Sequence, residues 1–140
     1  MAIDLNLSNG KERIYINEKL YGKRRYIDVN FGDYNIIYRA KKANENIQKR
    51  MKEYEMKDPN MDWENVEFIG EIDNYIKRQI NYIFNDNKAS QNIFGFTSCI
   101  ADIDGEPYFK RFLDAIMPYI TQKFEEKANK LNKYTDKYND

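Results

Sequence analysis

Six β-branched aliphatic residues, Val66, Ile69, Ile72, Ile76, Ile80 and Ile83, recur at spacings of three, three, four, four and three. On an α-helix this spacing puts all six on one face, whereas on a strand it would scatter them over both. Isoleucine is not the best helix former, but the regularity of the spacing outweighs its propensity. A stripe of this kind must be covered by other apolar surface, and the chain supplies two more. Ile36, Ala40, Ala43, Ile47, Met51 and Tyr54 follow one another at four, three, four, four and three. Phe109, Phe112, Leu113, Ile116, Ile120, Phe124, Ala128 and Leu131 form the third stripe. Leu, Ile, Val and Phe together supply 32 of the 140 residues, above the level at which chains stay disordered. A chain of this length builds one core, so the reading is a single domain over residues 1–140.

The first 32 residues have a different period. Ile3, Leu5 and Leu7 alternate with Asp4 and Asn6, and Ser8-Asn9-Gly10 marks a turn. Ile14 and Ile16 share one face of a second run, and Ile27, Val29 and Phe31 alternate in a third, with Gly22 in the connection between them. A small antiparallel sheet with one buried face is expected from these runs. Asp33 is placed to cap the first long helix, which must stop before Asp58-Pro59-Asn60 because proline restricts the residue ahead of it. The second helix is expected to open at Asp62, with Glu64 and Glu67 near its positive end and Lys77 and Arg78 toward its negative end. Asn85-Asp86-Asn87 breaks it, and a short helix over about 88–94 ends at Gly95. Residues 96–103 read as a loop or a short buried strand, and Asp104-Gly105 as a turn. The last helix runs from Pro107 to the low 130s; Pro118 deprives the Asp114 carbonyl of its helical partner, which predicts a kink or break. Residues 132–140 are polar and read as a frayed tail. The expected fold class is α+β and mostly α-helical: a small N-terminal antiparallel sheet (1–32), then a helical part (33–131) of three longer helices and one short one.

Chemically the chain is sparse. It has no histidine and one cysteine, which removes the commonest general base, a disulfide framework and a thiolate-rich zinc site. Ser8, Ser90 and Ser98 have no imidazole to activate them, and Cys99, beside Ile100, reads as buried and inert. Glu64, Glu67 and Glu71 share a helix face near Asp73 and read as solvated charge rather than a catalytic carboxylate pair. Asp102-Ile103-Asp104-Gly105 fails as a calcium loop, since the first and twelfth positions would be Ile100 and Arg111. No catalytic, metal or cofactor site is therefore expected, and the chain reads as a non-enzyme. Lys23-Arg24-Arg25 beside Tyr21 and Tyr26, with Arg39, Lys41 and Lys42, is a basic-aromatic cluster of the kind that binds single-stranded nucleic acid. A net charge of zero, from 23 basic and 23 acidic side chains, argues against that partner. The charge is segregated, however: +5 over residues 1–57, −7 over 58–107 and +2 over 108–140. Such segments either pair internally, or form complementary patches that dock copies of the chain head to tail or guide a partner. No apolar run suffices for a membrane span, and no signal peptide is visible, so a cytoplasmic protein is expected.

The stretch Ile83-Phe84-Asn85-Asp86-Asn87-Lys88-Ala89-Ser90-Gln91-Asn92-Ile93-Phe94-Gly95 resembles a segment of small tail assembly chaperones from tailed phages and prophages of low-GC Gram-positive bacteria. In that family an Ile- and Phe-rich helix ends at a Gly/Asn/Asp turn, a short helix closes on Ile-Phe-Gly, and a Phe-Leu-x-x-Ile helix follows, here Phe112-Leu113-Asp114-Ala115-Ile116. Ile16-Asn17 and the run Tyr26-Ile27-Asp28-Val29-Asn30-Phe31-Gly32-Asp33 are similar to its short hairpin leading into a long helix. Asn85-Asp86 stands where the family often has glycine after the Phe, and residues 96–106 are longer and more apolar than its pattern. The abundance of Asn, Ile and Lys, 50 residues together, suits an AT-rich genome. The resemblance implies a non-enzymatic chaperone that binds the tape measure protein, and in some cases the major tail protein, in the host cytoplasm and is absent from the mature virion. It also implies a structural or partner-binding role for Ile83, Phe84, Ile93, Phe94 and Gly95, with no cofactor. The competing reading is a small phage or bacterial adaptor or inhibitor acting by protein–protein binding.

Overall fold

In a computed structural model, which describes residues 1–57 and 65–138, the chain is mostly helical with a small antiparallel pair near its N-terminus. Strand β1 (Glu12–Tyr15) pairs with β2 (Tyr26–Val29), with Ile14 opposite Ile27, and a helical turn α1 (Glu18–Tyr21) fills the connection. Helix α2 (Tyr34–Lys57) starts where Asp33 Oδ1 accepts from the Asn35 amide at 2.9 Å. Helix α3 (Val66–Phe84) is capped by Asn65, whose side-chain oxygen accepts from the Phe68 amide at 3.1 Å. Asn85, at φ 50°, turns the chain out of α3, and the short helix α4 (Ala89–Phe94) ends at Gly95, φ 61°. Residues 96–101 are turns. A two-residue hairpin, β3 (Asp102–Ile103) and β4 (Glu106–Pro107), is closed by Asp104 and Gly105, both at positive φ, and leads directly into α5 (Tyr108–Tyr138).

The stripes meet as their spacing requires. Arg39 reaches the end of α3 at Ile83, Asn46 Nδ2 donates to Gln79 Oε1, and the Tyr54 ring meets Phe68 edge-on, so α2 and α3 run antiparallel. Ile36, Ala40, Ala43, Ile47 and Tyr54 face Ile72, Ile76, Ile80 and Ile83 in one core. Ile27, Val29 and Phe31 close it from the sheet side, and Ala89, Ile93, Phe94, Cys99, Ile116 and Ile120 from the other elements. Aromatic edges link α5 to this core: Phe84 and Phe94 each meet Phe112 at 6.1 Å, and Phe31 meets Tyr119 at 5.4 Å.

Four expectations change. Residues 3–7 form no strand and their side chains are exposed. The turn explains this: with Ser8-Asn9-Gly10 as a three-residue loop, Leu5 would lie opposite Arg13 on the outer face of β1, and Asp4 opposite Ile14 on the inner one. Next, α3 begins at Val66, and Val66 itself is 74% exposed and Ile69 half-buried, so the buried stripe starts at Ile72; Asp58, Pro59, Asn60, Asp62 and Glu64 lie outside the described residues. Of the kink or break expected at Pro118, the break is absent, since α5 passes through it. Pro118 and Asp114 are both exposed, so water can reach the orphaned carbonyl while Ile116 and Ile120 hold the opposite face. Finally, α5 continues through the expected tail to Tyr138, although Leu131 is exposed, and Thr135 Oγ1 donates to the Leu131 carbonyl at 3.0 Å.

Candidate functional site

The resemblance motif lies in the interior. Ile83, Phe84, Ile93 and Phe94 are buried, so they hold α3 and α4 together under Phe112 and offer no surface to a partner. Gly95 has a local reason: a Cβ there would stand 3.4 Å from the Arg25 guanidinium, on a backbone that L side chains rarely adopt. Arg25 is the organiser of this corner. Its Nε donates to the Asn92 carbonyl at 2.8 Å, its Nη2 donates to the Ile93 carbonyl, and its face stacks on Tyr21 at 4.0 Å. Arg39 serves α3 in the same way, donating to the Ile83 carbonyl at 3.0 Å. Both guanidiniums thus satisfy carbonyls at the negative ends of helices. Arg13 stacks on Tyr26 at 3.7 Å and donates two hydrogen bonds to Asp28, at 2.9 and 3.2 Å. Arg25, Arg39 and the rings of Tyr21 and Tyr26 are therefore engaged within the fold, whereas Lys41 and Lys42 of the basic-aromatic cluster are exposed.

Asp73 anchors the loop after α4. Its Oδ1 accepts from the Cys99 amide at 2.8 Å and from Ser98 Oγ at 3.0 Å, and its Oδ2 pairs with Lys77 at 2.9 Å. Burial pushes this carboxyl upward, but the hydrogen bonds from Lys77 and Cys99 outweigh it and hold it below the ordinary carboxylate value. Cys99 is fully buried, and burial, followed by the neighbouring Asp73, pushes its thiol far above the ordinary range, so thiolate is not accessible. Among the described residues no group of three Cys, Asp or Glu side chains is placed to hold a metal. Nor is any helix of the described residues long and apolar enough to cross a membrane.

What the surface does offer is a pair of clefts flanking α5. On one side, between α2 and α5, a cleft of about 540 Å³ is lined by Ile37, Ala40, Leu113 and Met117, with Lys41 and Asp114 at its rim. It continues past the shared residues Asn44, Leu113 and Asp114 into a second hollow of about 610 Å³, lined by Ile47, Met51 and Phe109 between Lys52, Glu55 and Lys110. From Ile37 to Glu55 this groove follows α2 for about 27 Å at 1.5 Å per residue. On the other side, between β1 and α5, lies a smaller cleft of about 300 Å³, lined by Ile14, Ile16, Phe112, Ala115 and Ile116. Neither cleft follows from the helical stripes: Met51 and Leu113 read as core positions, and Ile37 and Met117 lie beside the stripes. The signal that could have pointed there is the surplus of apolar residues flanking each stripe. Comparison of the chain with protein-family models, curated proteins and solved structures finds no match.

Proposed function

We propose that this chain is a tail assembly chaperone of a tailed phage or prophage, which binds the tape measure protein in the host cytoplasm and keeps it soluble until the tail tube encloses it. The observation that carries this reading is the groove between α2 and α5. It is long, apolar at its floor and bordered by both signs of charge, as suits an amphipathic helix laid along it. Two of its lining residues are methionines, whose unbranched side chains adapt to varied apolar partners. A tape measure protein exposes long apolar helical stripes before the tube forms, and reversible cover of such stripes needs contact area rather than a nucleophile. The rim charges of Lys41, Lys52, Lys110, Glu55 and Asp114 set register and association rate more than affinity.

The test is co-expression with the tape measure protein encoded beside it, followed by co-purification. Client recovered in the soluble fraction only with this chain, and lost again with Met117→Lys in the groove, is the expected result. A client equally soluble alone, or no complex at low salt, would move the assignment to an adaptor that binds another protein.

A further inference from the structure

The N-terminal segment carries a run of unburied apolar side chains. Ile3, Leu5 and Leu7 are 91%, 68% and 81% exposed, and they alternate with the polar Asp4 and Asn6 as a half-buried strand would. The segment is nonetheless anchored at its base. Asn30 Nδ2 donates to the Asn9 carbonyl at 3.0 Å, and the Gly10 and Lys11 amides donate to Ser8 Oγ and Asn9 Oδ1. Gly10, at φ 70°, sits so close to the Asn30 amide that a Cβ would approach it to 3.2 Å.

The sheet has a matching vacancy on its free edge. The Ile16 amide donates to the Arg25 carbonyl at 2.9 Å, which makes that position a hydrogen-bonded pair. The ladder register then directs the backbone of Glu12, Ile14 and Ile16 toward β2, and that of Arg13 and Tyr15 outward, where no described residue pairs with it. Beneath that edge lies the apolar cleft between β1 and α5. Its α5 wall, from Tyr108 to Ile116, is about 12 Å long at 1.5 Å per residue. Residues 3–7 in extended form span about 13 Å at 3.3 Å per residue.

We propose that residues 3–7 of one molecule add as a third strand to the free edge of β1 in a second copy, seating Ile3, Leu5 and Leu7 in its β1–α5 cleft. Loop geometry points to a second copy: a two-residue Asn9-Gly10 turn, which would bring the aliphatic face inward, needs positive φ at Asn9, and only Gly10 has it. Folding back through the anchored three-residue loop would place Leu5 beside Arg13 on the outer face and Asp4 beside Ile14 over the cleft. A strand from another molecule is free of that loop and takes the register that turns the aliphatic face inward. Asp4 then falls on the outer face, which carries Lys11 and Arg13, a complementary cross-strand arrangement. Exchange in both directions buries two arms about a two-fold axis and closes the assembly. The inference is independent of the client groove, which lies on the opposite side of α5.

Sedimentation equilibrium of the intact chain over a concentration series should show a dimer, and Leu5→Asp should convert it to monomer with an unchanged circular-dichroism spectrum. A monomer at every concentration, or a dimer indifferent to Leu5→Asp, overturns the proposal. Geometry is tested by mixing isotope-labelled Asp4→Cys with unlabelled Arg13→Cys chains and adding a short bis-maleimide. A labelled-to-unlabelled peptide joining positions 4 and 13 is expected. If it is missing, or if the doubly substituted chain links only within itself, the arm does not exchange.

Discussion

Ile80 lies at the centre of the α3 stripe and is fully buried against the α2 face. Replacing it with alanine removes three carbon atoms, worth about 2.4 kcal/mol at roughly 0.8 kcal/mol per methylene. The neighbours belong to separate elements held by their own hydrogen bonds, so they collapse only partly, and the residual cavity brings the cost to about 3–4 kcal/mol. Unfolding entropy of about 2.1 cal/mol/K per residue gives about 0.3 kcal/mol/K for 140 residues, so the midpoint should fall by about 10–13 °C. Urea unfolding followed by far-ultraviolet circular dichroism is the assay, with the slope against denaturant unchanged and only the midpoint moved. Val66→Ala is the internal control: same helix, same sequence stripe, but a side chain in solvent, so its effect should stay within about 0.5 kcal/mol. A loss below about 1 kcal/mol for Ile80→Ala, or equal losses for the two variants, would refute the register assigned to α3.

Gly95→Ala should cost about 1–3 kcal/mol, because it combines an unfavourable backbone region with crowding of Arg25; Gly22→Ala, also at positive φ but in open space, should cost less in the same thermal melt. Asp73→Asn should cost about 1.5–3 kcal/mol at neutral pH, where the carboxylate holds Lys77 and Cys99. The folded-state carboxyl lies below its ordinary value, so its contribution is present above the unfolded value and disappears as pH falls through the folded one. The gap between wild type and Asp73→Asn should therefore close on acidification, and a gap that widened would reverse the assigned sign.

Periodicity alone determined the helical framework. The Ile36–Tyr54 and Ile72–Ile83 stripes are one-dimensional records of faces that must be covered, and α2 and α3 cover each other along them. Asp33, Gly95 and Asp104-Gly105 were legible for the same local reason, since caps and tight turns are chosen by residues within one or two positions of them. Other features depended on what stood far away in the chain. The alternation at residues 3–7 is a correct strand pattern, yet the loop parity that aims it at the wrong face exists only once β1 has an inner and an outer side. Arg25 and Arg39 look like surface charge until the ends of α4 and α3 arrive beside them with carbonyls that need donors. Pro118 breaks an isolated helix but not one whose opposite face is pinned by Ile116 and Ile120. The clefts flanking α5 belong wholly to this second kind. A stripe specifies which residues want cover, but only the way three elements meet leaves Ile37 and Met117 beside one groove and Ile14 and Ala115 beside the other. Burial preference is a property of each residue, whereas an uncovered surface is a property of their arrangement.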